Sequence, residues 1–102
     1  MMLIEVERES EPEGSMRRVK NVYEKLVFDH IKKVAVELSP AAQTDAACLA
    51  LNRLPAKYVR NAVDWLFFID ARELEQINRA VDMSVTNAVA RVLDNPPLLE
   101  TG

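Results

Sequence analysis

Two apolar stripes of helical period dominate this chain of 102 residues. The first runs through Val19, Val22, Tyr23, Leu26, Val27, Ile31, Val34, Ala35 and Leu38; the second runs through Leu74, Ile77, Val81, Val85, Ala88, Val89 and Val92. Spacings of three and four place each set on one side of an α-helix, and a one-sided helix must bury that side against another element. The first helix is expected over about residues 17–38, with the outward pairs Lys20–Glu24, Lys25–Asp29, Asp29–Lys33 and Lys33–Glu37 at i,i+4 spacing. Phe28 lies off the stripe, which suggests a second contact surface. The last helix is expected to start at Asp70 as N-cap, with Glu73 three residues on and Ile69 and Leu74 flanking as a hydrophobic staple. It should stop at Asn95-Pro96-Pro97.

Between them, Ser39-Pro40 opens a second helix, since serine caps well and proline suits the first helical position. That helix should run from Pro40 to Arg53. Its alanines at 41, 42, 46, 47 and 50 let another helix approach closely. Ala47, Cys48, Leu51 and Leu54 fit an inward face, whereas Asp45, Leu49 and Asn52 project elsewhere. Cys48, the single cysteine, is expected to be a buried structural thiol. Pro55 then ends the helix and fixes the corner after it. Residues 59–69, VRNAVDWLFFI, have no clear period, and their aromatic content favours an extended segment. Exposing all of that run would leave a large apolar patch, so it should enter the core or a partner surface, and a dimer interface is the favoured choice. The expected fold is mainly all-α, with three main helices and a short extended segment, assembled as an intertwined homodimer.

Composition sets the limits on function. The chain is 49% hydrophobic and 28% charged, which is ordinary for one globular domain, and no apolar run is long enough to span a bilayer. The start lacks the basic and apolar pattern of a secretory leader, so a cytoplasmic setting is expected. Residues 1–15 carry five glutamates against Arg8 alone, a net −4, and are read as an acidic mobile tail. The rest holds 12 basic and 11 acidic residues, a net +1, so general nucleic-acid binding gains no support from charge. The domain is expected over 16–95, with a frayed end at 96–102.

Catalysis is not expected. The chain has one histidine, His30, beside the first stripe, where a packed side chain is the simpler reading than a metal ligand or base. No activated nucleophile and no phosphate-cradling glycine loop is present. What stands out is the corner after the second helix. Arg53, Lys57 and Arg60 can neutralise phosphates, Tyr58 offers a stacking face, and Asn52 and Asp45 precede them on the helix. The alternative is structural: Asn52 caps the helix end, Tyr58 packs, and the cations point to water.

The pattern D-x-x-x-L-x-L-N-x-L-P-x-x-Y-V, read at Asp45, Leu49, Leu51, Asn52, Leu54, Pro55, Tyr58 and Val59, resembles the late competence development protein ComFB family. Asn21, Glu24 and Val27 match the N-x-x-E-x-x-V that opens the family domain, so the likeness covers about Val19 to Val92. Members of this family have been linked to cyclic dinucleotide second messengers. The resemblance implies a homodimeric receptor that holds such a ligand through Asp45, Asn52, Arg53, Lys57, Tyr58 and Arg60 and passes the signal to another protein. Asp45 could accept from a guanine edge, which favours cyclic di-GMP over cyclic di-AMP. A dimeric adaptor with no small ligand is the competing reading. Some members carry a cysteine cluster ahead of the motif aspartate, which looks like a structural metal site. Val36 to Gln43 here holds neither cysteine nor histidine, so no metal or other cofactor carries over.

Overall fold

The computed structural model describes residues 16–95. The expectations of a mobile tail over 1–15 and a frayed end over 96–102 lie outside them. A 3-10 turn, Met16–Arg18, leads into a short strand β1 (Lys20–Asn21) and helix α1 (Val22–Val34). Helix α2 (Pro40–Arg53), strand β2 (Tyr58–Val59), helix α3 (Ala62–Phe68) and the long helix α4 (Ala71–Asp94) follow. The architecture is mainly helical, as expected, with a two-stranded antiparallel sheet added.

Each helix begins at a side-chain cap that satisfies one of the free N–H groups of its first turn. Asn21, Ser39, Asn61 and Asp70 accept from the backbone N–H of Tyr23, Ala42, Asp64 and Glu73 at 3.2, 3.1, 3.1 and 2.9 Å. Ser39 with Pro40, and Asp70, stand where the sequence places them. Asn21 and Asn61 are two caps the sequence reading did not assign, and both change the fold from expectation. Asn21 starts the first helix at Val22 rather than about residue 17, because Lys20 and Asn21 are paired in the sheet. At the other end Ala35 closes the helix, its N–H bonded to the Ile31 carbonyl, and Gln43 Nε2 on α2 donates to the Ala35 carbonyl at 3.0 Å. Val19 and Val34 are therefore exposed rather than on the buried stripe. Of the four expected surface pairs, Lys25–Asp29 forms at 3.1 Å, while Lys20 and Glu37 fall outside the helix.

Asn61 likewise turns most of the expected extended segment into helix α3, making four α-helices among the described residues where three were expected. With Asn61 capping and Asp64 in the first turn, residues 62–68 take up helical hydrogen bonds. The extended character is confined to Tyr58–Val59.

Most of the core lies among α1, α2 and α4, with the most extensive contact between α2 and α4. Val22, Val27 and Ile31 meet Ala42, Ala46, Ala47 and Ala50 of α2 and Ile77, Val81, Val85, Ala88 and Val92 of α4. Ala46, Ala50 and Val85 have no exposed surface. This corrects the facing of α2. Its inward side is 42, 46, 47 and 50, and Cys48, about 100° round the helix from Ala47, is exposed rather than buried. The alanines win because their short side chains let α4 come close, and close packing recovers more dispersion energy than a thiol could at a wider spacing. His30 is three-quarters buried and its Nε2 lies 3.0 Å from Asp82 Oδ1, joining α1 to α4 as a packed side chain. Among the described residues no helix is long and apolar enough to cross a membrane.

Candidate functional site: the corner after helix α2

Helix α2 stops at Arg53 because Pro55 bars Leu54 from helical backbone angles, and Leu54 sits at φ −99°, ψ 135° with its side chain buried. Leu54 is thus the C-cap, so Asn52 lies inside the last turn, exposed, and does not cap the helix end. Beyond Pro55 the chain is caught by the start of α1. The Lys57 N–H donates to Asn21 Oδ1 at 3.0 Å, and the Lys57 carbonyl accepts from the Val22 N–H at 2.8 Å. Residues Tyr58 and Val59 then pair with Asn21 and Lys20. Asn21 Oδ1 therefore serves two donors, one in its own helix and one in the corner.

On that scaffold Arg53, Lys57, Tyr58 and Arg60 are all exposed, as is Asn52. Tyr58 is 67% exposed, so its ring does not pack into the core. Arg53 and Arg60 make no ion pair among the described residues. Lys57 differs, because its ammonium lies 5.6 Å from the centre of the Trp65 ring and 3.8 Å from Glu73 Oε2. Both partners hold it back against α3 and the start of α4. The corner thus carries two guanidinium groups with no ion pair among the described residues and one ammonium shared with a carboxylate.

The sign of the surroundings narrows the approach. Asp64, Asp70 and Glu73 join Trp65, Phe68 and Ile69 in the groove on the α3 side, which disfavours phosphate there.

Asp45 is placed apart from this group. It lies eight residues before Arg53, about 12 Å up the helix, and lines a different groove with Cys48, Leu49, Arg91, Val92 and Asn95. Asn52, Arg53, Lys57, Tyr58 and Arg60 thus stand exposed within nine residues of sequence around the corner, and Asp45 lies two turns up the helix. The sequence reading missed three supports, Asn21, Trp65 and Glu73. Asn21 had a visible signal, an asparagine directly before an amphipathic stripe, which is a cap pattern. Trp65 and Glu73 had none, because their meeting with Lys57 depends on how α3 and α4 fold back. Among the described residues, no group of three or more histidine, cysteine or acidic side chains is placed to hold a metal ion.

Comparison with known proteins adds one positive finding. A family model described as late competence development protein ComFB matches residues 20–96, which takes in β1, the corner and all four helices. Neither the curated proteins nor the solved structures give a significant match.

Proposed function

The chain belongs to the ComFB family, and from that premise we propose that it is a receptor for a cyclic dinucleotide, cyclic di-GMP foremost, acting in the cytoplasm. It relays the signal to a partner protein. One observation carries the reading: Arg53 and Arg60 are exposed, with no ion pair among the described residues, on either side of an exposed Tyr58 in the sequence, on a corner tied down by Asn21. Guanidinium groups pair with phosphate oxygens in a planar fork, and a tyrosine ring stacks on a purine. Holding those groups on a tethered corner lowers the ordering cost of binding. Asn52 and Lys57 flank the contact, and Asp45 is the acceptor for a guanine edge at the far end of an elongated ligand.

A ligand with two phosphates and approximate two-fold symmetry suits a homodimer in which each subunit presents one corner. Binding rather than turnover is proposed, since His30, the single histidine, is committed to Asp82 between α1 and α4. The second reading, a dimeric adaptor without a small ligand, is favoured by a different observation. Phe67 and Phe68 are each 81% exposed and Val63 67%, an apolar face on α3 that a protein partner could cover.

Calorimetric titration of the full chain with cyclic di-GMP and with cyclic di-AMP decides between them. Saturable heat with cyclic di-GMP, weakening as salt rises, is the expected result. Silence with both ligands returns the corner to a structural role and leaves the adaptor reading.

A further inference from the structure

We propose that the groove between α3 and the start of α4 is a docking site for a partner protein, whose docking segment carries lysine or arginine beside a bulky apolar residue. In the free protein the Lys57 side chain of this same chain fills part of that position. The docking stands on the groove itself; its control by a nucleotide rests on the receptor reading above.

The groove encloses about 530 Å³ and has two kinds of wall. Trp65, Phe68 and Ile69 supply apolar surface, and Asp64, Asp70 and Glu73 supply carboxylates. Trp65 and Ile69 pack against the core, so their positions are fixed, whereas Phe68 projects outward. Residues 61–71 contain no lysine or arginine. A purely apolar or acidic segment seated there would bring no counter-charge to the carboxylates, so the groove selects an occupant that joins positive charge to apolar surface. At 100° per residue Asp64, Trp65, Phe68 and Ile69 share one flank of α3, and Val63 and Phe67 lie on the other. The groove is therefore distinct from most of the apolar face open to a second copy, with Phe68 common to both.

Lys57 shows how a cation is held there. Its ammonium lies 5.6 Å from the centre of the Trp65 ring and 3.8 Å from Glu73 Oε2, so an aromatic face and a carboxylate act on one charge. The Lys57 and Glu73 side chains are 44% and 46% exposed, and an ion pair so open is weak enough for an incoming guanidinium to displace. The Lys57 backbone stays in place, its N–H bonded to Asn21 and its carbonyl to the Val22 N–H. Only the side-chain stem has to swing. An anion at the corner and Glu73 thus draw on the same ammonium, and an anion that takes it leaves Trp65 and Glu73 to the partner. Binding at the two places is mutually strengthening, and by linkage each site strengthens the other by the same factor.

The test titrates the full chain with the peptide acetyl-Gly-Lys-Leu-Arg-Gly-amide and with a counterpart in which glutamine replaces both cations. Trp65 is the single tryptophan, so its fluorescence reports the groove directly. The charged peptide should give a saturable change that weakens as salt rises, and the uncharged one should give none. Asp64→Asn combined with Glu73→Gln should weaken the charged peptide at least about threefold, far-ultraviolet dichroism confirming that the variant is folded. Lys57→Ala should act the other way: if Lys57 fills the position two-thirds of the time, vacating it tightens the peptide about threefold. Equal affinity for the two peptides, or binding that leaves Trp65 unchanged, overturns the docking site. So does a Trp65 signal that follows the protein's own concentration without peptide, which would seat a second copy in the groove. Unchanged or weaker peptide binding by Lys57→Ala overturns the role given to Lys57.

Calorimetry with cyclic di-GMP separates the groove from the receptor reading. Saturating nucleotide should tighten the charged peptide in wild type and leave it unchanged in Lys57→Ala. Peptide binding with no nucleotide heat would sink the receptor reading and leave the groove standing. Nucleotide heat without peptide binding would sink the groove alone, and binding of both without mutual effect would sink their coupling through Lys57.

Discussion

The side-chain oxygen of Asn21 lies 3.0 Å from the backbone nitrogen of Lys57, across 36 residues of sequence. The same oxygen accepts from the Tyr23 N–H at 3.2 Å. One side chain thus starts α1 and fixes the chain that leaves α2, so the candidate site and the fold share a single anchor. The consequence is a rigid corner on which exposed side chains keep a defined position.

Replacing Asn21 with alanine should remove both bonds. The lost cap costs about 1 kcal/mol, and leaving the Lys57 N–H without its partner adds about 1 kcal/mol more. Asn21→Asp keeps the acceptor oxygen and should recover most of that loss. Urea denaturation of the three proteins checks it. Equal stability of wild type and the alanine variant would show that water replaces Asn21 without penalty.

The three cations of the corner should separate into two classes. Arg53→Ala and Arg60→Ala should leave stability within about 0.5 kcal/mol but weaken cyclic di-GMP binding by about 1.5–3 kcal/mol, the worth of a hydrogen bond to a charged group. That is roughly tenfold to a hundredfold. Lys57→Ala should also lower stability, by about 0.5–1 kcal/mol, because it loses the Trp65 ring and Glu73 together. Tyr58→Phe should bind better than Tyr58→Ala, since stacking needs the ring rather than the hydroxyl. Calorimetry with parallel melting curves reads all five variants. Unchanged affinity in the folded arginine variants would move the site elsewhere.

Helix α3 leaves Phe67 and Phe68 exposed, their rings edge-on at 5.2 Å. Dimerisation through this face predicts that the full chain sediments as a dimer at micromolar concentration. Phe67→Ser and Phe68→Ser should each raise the dissociation constant by at least about tenfold, since each removes a large apolar surface from the interface. A wild-type monomer at that concentration would leave the face to another partner.

Packing between α2 and α4 gives the sharpest contrast within one helix. Ala46→Leu adds volume where no surface is exposed and should cost about 1–3 kcal/mol. Cys48→Leu, two residues on, should change stability by no more than about 0.5 kcal/mol. The Cys48 thiol should also react with a thiol reagent in the absence of denaturant. Protection of that thiol would place α2 in a different rotation from the one described.

Local signals in the sequence settled the helical class and the ends of α2 and α4. Ser39-Pro40, Pro55 and Asp70 act within one turn of their own positions, so their effect does not depend on distant residues. The stripe on α4 was equally legible, because its buried set from Ile77 to Val92 follows the helical period. The cations of the corner could also be picked out, since a proline-ended helix leaves the following polar residues exposed whatever packs beneath it. Tertiary structure alone decided three matters. The rotation of α2 depends on how near α4 approaches, and an alanine-rich helix has no bulky side chains to mark its inner face in advance. The extended or helical choice over 59–69 depends on the β1–β2 pairing, which uses up Tyr58 and Val59 and leaves Asn61 free to cap a helix. The setting of Lys57, tied to Asn21 through its backbone and to Trp65 and Glu73 through its side chain, requires four separate elements to meet. Such long-range meetings leave no periodic trace in a single sequence, which is why the exposed cations of the corner were readable and the framework that holds them was not.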